Sequence, residues 1–361
     1  MIFDRSFLKN YGWSLLIVTI LFSAIGLLNL YSSSYLTGLV NFKKQIIWII
    51  IGLITMISIS YINPDFFKRN SHYIYVLSIL SLILVIILGK TISGSKSWFA
   101  IGPISIQPSE FSKIALILII AKFFNDEVYE GPYSLYELLK PIFYLLILFI
   151  LIMLQPDLGT GLILFLVASS IFAFTGIKKK SLIISFLVIF GLSFPTWQFF
   201  LKDYQKERIN TFINPSIDPL GTGYNSIQSQ IAVGSGKFMG KGFISGSQSQ
   251  LRFIPAQQTD FAFSVLAEEW GFVGSIFTLS IYFLLILILL DTASSSKNKF
   301  NMIVSFGIST LFFWHAAINV GMVIGLLPVT GVPLFLFSYG GSSTLTAFIG
   351  LGLVLGIRNR Q

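Results

Sequence analysis

The sequence predicts an all-α polytopic membrane protein with about ten transmembrane helices, and two observations carry this prediction. The 361 residues are 54% hydrophobic and only 11% charged, whereas an ordinary soluble domain is about 25% charged. Apolar runs long enough to cross a bilayer also recur along the chain, and one soluble core cannot bury that much apolar surface. A large soluble all-α core is therefore a poor alternative, and we expect lipid to surround most of the helices.

Ten apolar segments define the predicted helices. The first is about 20 residues long, too long for the apolar region of a signal peptide, and no small-residue cleavage site follows it. No linker or repeat divides the chain, so we expect a single membrane domain over residues 1–361. The predicted helices cover residues 12–31, 46–62, 73–88, 111–124, 142–154, 158–175, 181–200, 261–290, 300–327 and 332–357.

The basic residues indicate how the chain is oriented in the membrane. With the N-terminus inside, the cytoplasmic connections carry thirteen Lys and Arg residues and the short external connections carry four. Because positive charge concentrates on the cytoplasmic side, both termini are predicted to be cytoplasmic and the long loop 201–261 external. The run Lys178-Lys179-Lys180 is then a topology anchor, and no nucleic-acid partner is expected.

Composition excludes several kinds of chemistry. The chain has no Cys, which excludes disulfides, thiolate metal sites and Cys nucleophiles. With His72 and His315 as the two histidines, a His-rich metal site and a Ser-His-Asp triad are both disfavoured. The pairs Gly221-x-Gly223 and Gly234-x-Gly236 lie in a loop instead of between a strand and a helix, so nucleotide binding is unsupported.

The loop 201–261 is the largest polar segment of the chain. It contains ten charged residues, seven Gly and seven Gln, and it ends in Thr259-Asp260-Phe261. Aromatic neighbours and the bilayer edge would desolvate the Asp260 carboxylate, which suits a general base. The alternative is a carboxylate at a helix N-terminus that interacts with the macrodipole, and composition leaves both open.

Other charged residues lie beside or within the apolar segments. Glu110 and Lys113 are spaced i, i+3 on one predicted helix face, and charges there are expensive unless paired. We therefore expect a structural ion pair, which is also compatible with lining a polar cavity. Glu268 and Glu269 follow Asp260 by about two turns, and an ion pair is the expected role there too.

Three further features mark the predicted external side. Asp157, in Gln155-Pro156-Asp157, is expected to cap the next helix after a tight turn. Trp98 reads as an interfacial anchor, and Lys96 as a partner for an anionic headgroup. Gly and Pro within 331–333 and 338–343 interrupt the last apolar segment, which indicates a cavity near its external end or close helix packing.

Taken in order, the motifs of the chain resemble the shape, elongation, division and sporulation (SEDS) family, most closely its RodA branch. The resemblance runs across nearly the whole chain, and the joint order of the motifs is specific where each alone is weak. The motifs are Trp98 with Gln107-Pro108-Ser109-Glu110, Gln155-Pro156-Asp157-Leu158-Gly159-Thr160, Arg208-Ile209, Asn214-Pro215, Asp218-Pro219, Gly223-Tyr224, Gln228-Ser229, Gly234-Ser235-Gly236, Gly240-Lys241-Gly242, Gly246-Ser247-Gln248-Ser249-Gln250-Leu251, Thr259-Asp260-Phe261 with Glu268-Glu269, Asn319-Val320-Gly321-Met322, Leu327-Pro328-Val329-Thr330-Gly331-Val332-Pro333 and Ser338-Tyr339-Gly340-Gly341.

The resemblance implies a peptidoglycan glycosyltransferase that polymerises lipid II into glycan strands on the external face of the cytoplasmic membrane. The family's catalytic aspartate corresponds to Asp260, and its membrane ion pair to Glu110 and Lys113. It also implies a class B penicillin-binding protein and other cell-elongation machinery as partners, in addition to membrane lipid. A lipid II flippase and a non-catalytic scaffold for a transpeptidase are the alternatives.

The expected reaction needs a base for the acceptor hydroxyl and positive charge for the departing pyrophosphate. Asp260 is the expected base. A divalent cation, Mg²⁺ or Mn²⁺, could share the role of positive charge, although no dense carboxylate cluster indicates a metal. The candidate substrate-binding residues are Lys96, Trp98, Lys113, Arg208, Lys241 and Arg252.

The chain departs from the family pattern at three places. Ala256-Gln257-Gln258 stands where many members have Glu-His or a similar pair before Thr-Asp. Phe335 replaces a usual proline, and Lys96 stands where arginine is common. We expect these differences to affect local geometry and rate more than the type of reaction.

Overall fold

The computed structural model describes residues 12–92, 95–101, 104–127, 131–184, 203–214 and 222–361, together with positions 187, 191 and 198. Within these residues the chain is mainly helical, with one small sheet. The helices are α1 (Trp13–Ser34), α2 (Val40–Tyr61), α3 (Pro64–Leu88), α4 (Pro108–Asp126), α5 (Leu139–Leu154), α6 (Leu158–Thr175), α7 (Asp203–Ile213), α8 (Thr222–Ser235), α9 (Ser247–Gln250), α10 (Ala262–Ser295), α11 (Lys299–Val323) and α12 (Gly341–Arg358). The strands are β1 (Lys90–Ile92), β2 (Ser95–Ile101) and β3 (Ile104–Ile106).

Seven of the described helices are long and apolar enough to cross a membrane: α1, α2, α3, α6, α10, α11 and α12. Helix α5 is apolar but has 16 residues, and α4 has 19 residues that include buried charges. Large apolar side chains are widely exposed on α1, α2, α3 and α10, as expected where lipid is the solvent. The chain is a multi-pass membrane protein, which confirms the predicted fold class.

Nine of the ten predicted segments coincide with helices. The tenth, 181–200, falls largely outside the described residues, although 181–184 are helical. The prediction of continuous helices over 300–327 and 332–357 was wrong at their junction, because α11 ends at Val323 and α12 begins at Gly341. Residues 324–340 form an irregular segment instead, with left-handed backbone at Gly325 and Gly331, a conformation that glycine tolerates and a helix does not.

Two further features were not predicted. The connection from α3 to α4 forms an antiparallel sheet in the order β1-β2-β3, in which Lys90 pairs with Trp98 and Phe99 with Ile106. The polar loop 201–261 contains the helices α7, α8 and α9. Residues 222–261 contact the membrane helices instead of forming a separate domain, since α8 packs on α10 and α11.

Helix α4 lies at the centre of the bundle. It packs against α3, α5, α6, α11 and α12, and every residue of 112–121 is buried. Because α4 has almost no lipid-facing side, polar residues on it can meet protein partners in place of hydrocarbon. This placement makes charges on α4 possible in a membrane protein.

Helix α10 is broken at Gly271, where φ is 65° and ψ is −161°. Such a break frees carbonyls before it and amides after it, and these cannot be left unpaired in a membrane. Backbone groups of 237–242 satisfy them: the amides of Lys241 and Gly242 donate to residues 268 and 269 at 3.0 and 2.9 Å, and the amide of Phe272 donates to Lys237 at 2.9 Å. The break therefore fastens the polar loop to a membrane helix.

The bundle separates the chain ends from Asp260. At the start of α1, the amide of Gly12 donates to Asn359 Oδ1 at 2.8 Å, which places the start of α1 beside the end of α12. At the other end of α1, the carbonyl of Ser33 accepts from Gln257, three residues before Asp260. Residues 12 and 359 thus lie at one face of the bundle, and Asp260 lies at the opposite face.

Candidate active site

Asp260 lies in a turn, one residue before the N-cap of α10. The N-cap is Phe261, whose own side chain makes no capping hydrogen bond. Asp260 thus lies at the N-terminus of α10, which both interpretations of the sequence require. Asp260 is half-buried, and its main-chain carbonyl accepts a hydrogen bond from Asn319 Nδ2 at 2.8 Å. Its carboxylate faces Gly331, since a Cβ atom on Gly331 would lie 3.6 Å from Oδ2.

The segment before Asp260 is fixed to neighbouring elements through Gln257 and Gln258. Both amide groups donate to the carbonyl of Ser33, at 3.0 and 3.3 Å. The carbonyl of Gln258 accepts from the amide of Tyr339 at 2.8 Å. The two Gln that depart from the family pattern therefore hold the approach to Asp260 between α1 and the irregular segment 324–340.

Glu110 and Lys113 form a buried ion pair on α4, with Nζ and Oε1 2.7 Å apart. Lys113 is only 1% exposed, and its Nζ also lies 3.1 Å from Nε2 of His315 on α11. The other ring nitrogen of His315, Nδ1, lies 2.9 Å from the carbonyl of Pro333. One polar chain thus leads from α4 through α11 to the irregular segment.

Asn319 continues this polar chain one turn further along α11. Its Nδ2 donates to the carbonyls of Val332 and Asp260, both at 2.8 Å. Two successive turns of α11 therefore hold the same short stretch of backbone, 332–333. The Glu110–Lys113 pair and Asp260 lie at opposite ends of this buried network, although they are far apart in sequence.

The start of α6 approaches the same place. Asp157 is the N-cap of α6 and accepts from the amide of Thr160 at 3.1 Å, which confirms the predicted cap. Its Oδ2 also accepts from Gln107 Nε2 at 2.9 Å. A Cβ atom on Gly159 would lie 2.6 Å from the carbonyl of Thr330, so glycine is required for α6 to pack against the irregular segment.

A second Lys–Glu pair connects the polar loop to α10. Lys241 Nζ lies 2.7 Å from Glu268 Oε1 and also donates to Ser247 Oγ at 2.8 Å. The amides of Gln248 and Ser249 donate to the same carboxylate at 2.9 and 3.1 Å. Glu268 therefore neutralises Lys241 and holds the first turn of α9, and the predicted ion-pair role is confirmed for it.

Glu269 has a different environment from Glu268. It is buried, and its Oε1 accepts from Ser32 Oγ on α1. Gln250 Nε2 donates to the carbonyl of the same serine at 3.2 Å. No lysine or arginine among the described side chains forms an ion pair with Glu269, so a hydroxyl takes the place of the predicted charge partner.

Two candidate substrate residues lie on β2. Lys96 is half-buried, and its Nζ donates to the carbonyl of Ile87 at 3.1 Å. Trp98 is half-buried opposite Lys90 in the sheet. Their roles in substrate binding stay predictions.

The remaining candidates differ in how close the structure brings them to Asp260. Lys113 shares a buried network with Asp260, and Lys241 belongs to the separate Glu268 cluster. Arg252 Nη2 donates to the carbonyl of Leu36 at 2.9 Å on an exposed turn. Arg208 belongs to α7, but its side chain lies outside the described part of the structure.

Metal ligands can be assessed for the described residues. No three His, Cys, Asp or Glu side chains among them come together as a metal-ligand set. Mg²⁺ and Mn²⁺ prefer several oxygen ligands. A divalent cation at Asp260 would therefore have to take most of its ligands from substrate oxygens and water, and it stays a prediction.

The sequence analysis assigned no site role to His315 or to Asn319, although Asn319 belongs to one of the motifs. It used His315 only as an argument against a metal site and a triad. An ionisable residue within a spanning helix is expected to face protein and to have a specific partner, and that rule could have singled out His315. The partner itself, Lys113, is 202 positions away, so only the folded structure could name it.

Comparisons with known proteins agree with the motifs. A family model described as "Cell cycle protein", covering FtsW, RodA and SpoVE, matches residues 12–361. The peptidoglycan glycosyltransferase MrdB of Escherichia coli (strain K12) is 36% identical over 319 residues, 88% of this chain and 86% of that protein. The peptidoglycan glycosyltransferase RodA of Treponema pallidum (strain Nichols) is 33% identical and covers 98% of each chain.

Solved structures also resemble the chain. One is a chain from a study of the structural coordination of polymerization and crosslinking by a peptidoglycan synthase complex, with 30% identity, a TM-score of 0.84 and coverage of 97% and 98% of the two chains. Another is the crystal structure of the rod shape determining protein RodA of Thermus thermophilus, with 26% identity, a TM-score of 0.73 and 96% coverage of each chain. The chain therefore belongs to the cell cycle protein family of FtsW, RodA and SpoVE, the SEDS family that its motifs indicate.

Proposed function

We propose that this chain is a peptidoglycan glycosyltransferase that polymerises lipid II during cell-wall elongation, with Asp260 as the general base. The observation that carries the proposal is the Asp260 carboxylate, which faces Gly331 at the end of a buried network that begins at Glu110 and Lys113. The two relatives named peptidoglycan glycosyltransferase match almost the whole chain and support the same activity.

In the proposed reaction, the C4 hydroxyl of an acceptor GlcNAc attacks C1 of a donor MurNAc. Asp260 takes the hydroxyl proton as the new C1–O bond forms, and the bond from C1 to the pyrophosphate breaks with inversion. The polyprenyl pyrophosphate leaves with the electron pair of that bond. Asn319 donates to the Asp260 main-chain carbonyl, so this contact fixes the backbone that positions the proposed base.

Positive charge must stabilise the departing pyrophosphate. Lys241 and Arg252 are the candidates on the described part of the polar loop, and each has an exposed or partly exposed side chain that can exchange its present partner for phosphate oxygens. Lys113 is buried in its ion pair, so we propose that it acts by fixing the network and not by direct contact with phosphate. A bound cation could supplement these charges.

We propose that the termini are cytoplasmic and that Asp260 lies at the external face. Asp260 and the Gly12–Asn359 contact lie at opposite faces of the bundle. The distribution of Lys and Arg over the short connections favours the face of the termini as the cytoplasmic one. The reactive centre of lipid II, just above the bilayer, would then be at the level of Asp260.

A class B penicillin-binding protein is the proposed partner. The chain would make glycan strands, and a transpeptidase is needed to crosslink them. A chain of a peptidoglycan synthase complex with polymerization and crosslinking in its description is a structural neighbour. Other cell-elongation proteins would bind at the same assembly.

Purified protein supplied with lipid II tests the proposal. Wild type should form glycan strands, and Asp260→Ala should lose about 100-fold or more of the rate because the base is missing. Asp291→Ala is the matched control, since this exposed aspartate pairs with Arg358 at the opposite face of the bundle. The control should keep the wild-type rate, and both variants should unfold at the wild-type temperature.

The outcomes separate the three functions. A folded Asp260→Ala protein that polymerises as fast as wild type would exclude Asp260 as the base. Wild type that moves lipid II across vesicle membranes without forming strands would indicate a flippase. Wild type that does neither, but restores crosslinking by an added transpeptidase, would indicate a scaffold.

A further inference from the structure

We infer that His315 is a positioning residue for the proposed reaction: packed against the Glu110–Lys113 pair, it holds through Pro333 the backbone that positions Asp260. This inference rests on the proposed function. It assigns a role to a buried histidine that the reaction itself does not use and that the family resemblance did not name. The three contacts of the imidazole ring carry it.

The two ring nitrogens of His315 face opposite kinds of partner. Nε2 lies 3.1 Å from the Lys113 ammonium group, which can only donate, so Nε2 must accept. Nδ1 lies 2.9 Å from the carbonyl of Pro333, which can only accept, so Nδ1 must carry the proton and donate. The two partners therefore select a single neutral tautomer, and both nitrogens are used.

The plane of the ring is also fixed. The Phe335 ring stacks on the imidazole with centroids 3.7 Å apart and an angle of 20°. Phe312 packs edge-on against the Phe335 ring, with the two ring centroids 5.2 Å apart. Phe335 is almost completely buried. Phe335 stands where the family pattern usually has proline, which offers no ring face for such stacking. In this chain the departure from the family pattern thus supports the histidine.

The geometry links these contacts to Asp260. Pro333 adjoins Val332, whose carbonyl accepts from Asn319, and Asn319 also holds the carbonyl of Asp260. Gly331, next in line, faces the Asp260 carboxylate. A change at His315 would therefore move residues 331–333 relative to Asp260, and small displacements of a reacting group cost rate without necessarily weakening substrate binding.

The alternative is that His315 only fills space in the core. Two amide substitutions distinguish the roles. His315→Asn places an amide near the position of Nδ1 and can still donate to Pro333, whereas His315→Gln reaches the position of Nε2 and keeps the contact with Lys113 instead. Both lose the imidazole ring and its stacking on Phe335, so each is the packing control for the other.

The experiment measures kcat and KM for lipid II polymerisation with wild type, His315→Asn, His315→Gln and Asp260→Ala, together with thermal unfolding. We expect His315→Asn to keep kcat within about 3-fold of wild type. His315→Gln should lose about 10-fold or more in kcat with KM changed less than about 2-fold, because the base is displaced while substrate binding is unaffected. The unfolding temperatures of the two amide variants should agree.

Equal losses in both amide variants would overturn the inference, because packing alone would then explain them. A rise in KM that accounts for the loss in His315→Gln would overturn it as well. If an amide variant does not fold, His315→Phe keeps an aromatic ring against Phe335 and removes both ring-nitrogen contacts. It should lower kcat with unchanged KM, and unchanged kcat would contradict the inference. The proposed function fails separately, if wild type forms no strands or if Asp260→Ala is fully active.

Discussion

The two Lys–Glu pairs of this chain have the same length and different surroundings. Lys113–Glu110 and Lys241–Glu268 both measure 2.7 Å between nitrogen and oxygen. Glu268 accepts from Lys241, from Ser247 and from two backbone amides, and the Lys241 side chain is 29% exposed. Glu110 has one described partner, its Oε2 is buried without a hydrogen bond, and Lys113 is buried with it.

Their surroundings indicate that Lys241–Glu268 stabilises the polar loop and that Lys113–Glu110 supports the candidate site. All the hydrogen-bond donors to Glu268 belong to the polar loop, so this carboxylate stabilises the loop. Removing the Lys241 side chain would leave its other donors in place. The stability of the buried Lys113–Glu110 pair depends on both residues, because removing one leaves the other as an uncompensated buried charge. The Glu110–Lys113 pair therefore couples α4 to α11 and to the segment behind Asp260.

Stability measurements test this comparison most strongly. Lys113→Met leaves Glu110 buried without a counter-charge and should lower the free energy of unfolding by about 3–5 kcal/mol. Lys241→Met leaves Glu268 with its backbone donors and should cost less, about 1.5–3 kcal/mol, the range for a hydrogen bond to a charged group. Thermal or denaturant unfolding in one detergent measures both.

A double variant separates charge from volume. Glu110→Gln combined with Lys113→Met removes both charges and should recover part of the stability lost in Lys113→Met, because no uncompensated charge is left. Equal losses in the free energy of unfolding for Lys113→Met and Lys241→Met would show that the two pairs contribute equally to stability, which would contradict the proposed difference between them.

The sequence predicted the pair on α4 and not what the pair touches, for a physical reason. Glu110 and Lys113 are three residues apart, so helix geometry alone brings them together. The contact of Lys113 with His315 depends on how two helices pack, and no local pattern encodes it. The spanning helices were equally predictable, because lipid requires long apolar runs that close their own hydrogen bonds.

The irregular segment 324–340 shows where hydropathy reaches its limit. The segment is rich in apolar residues, so its hydropathy resembles that of a membrane helix, and the sequence analysis predicted one. Leu334, Leu336 and Phe337 are nearly completely buried in it. Gly325 and Gly331 adopt left-handed backbone there, and protein on all sides accepts the irregular chain. The Gly and Pro interruptions were visible in the sequence, but their meaning depended on Asn319, His315 and the other groups that bind the freed backbone.

A smaller effect is expected at the glycine that faces Asp260. Gly331→Ala introduces a Cβ atom 3.6 Å from Asp260 Oδ2 at a φ of +74°, which strains the backbone by about 1 kcal/mol and shifts the base. The rate of lipid II polymerisation should fall about 10-fold. Gly38→Ala is the matched control, because Gly38 has a φ of +78° and nothing within 4 Å of its Cβ position. The control should lose similar stability and keep its rate. Equal rate losses in both would assign the effect to strain in general and not to Asp260.

A carboxylate at the opposite face of the bundle, Glu137, should affect stability slightly and activity not at all. Glu137 lies before α5, and its Oε2 accepts from the amide and the hydroxyl of Ser134. These hydrogen bonds hold the pKa of Glu137 below the ordinary value of a glutamate. A lowered pKa contributes stability that is present above the unfolded-state pKa and is lost as pH falls through the folded-state pKa.

The unfolding temperature of wild type should therefore exceed that of Glu137→Gln by a constant amount at neutral pH, and the difference should shrink once the pH falls below about 4.5. Polymerisation rates of the two proteins should be equal at neutral pH, where Asp260→Ala is inactive, because Glu137 serves only its own turn. A rate loss in Glu137→Gln, or a stability difference that does not change with pH, would contradict the assignment of that carboxylate to local structure alone.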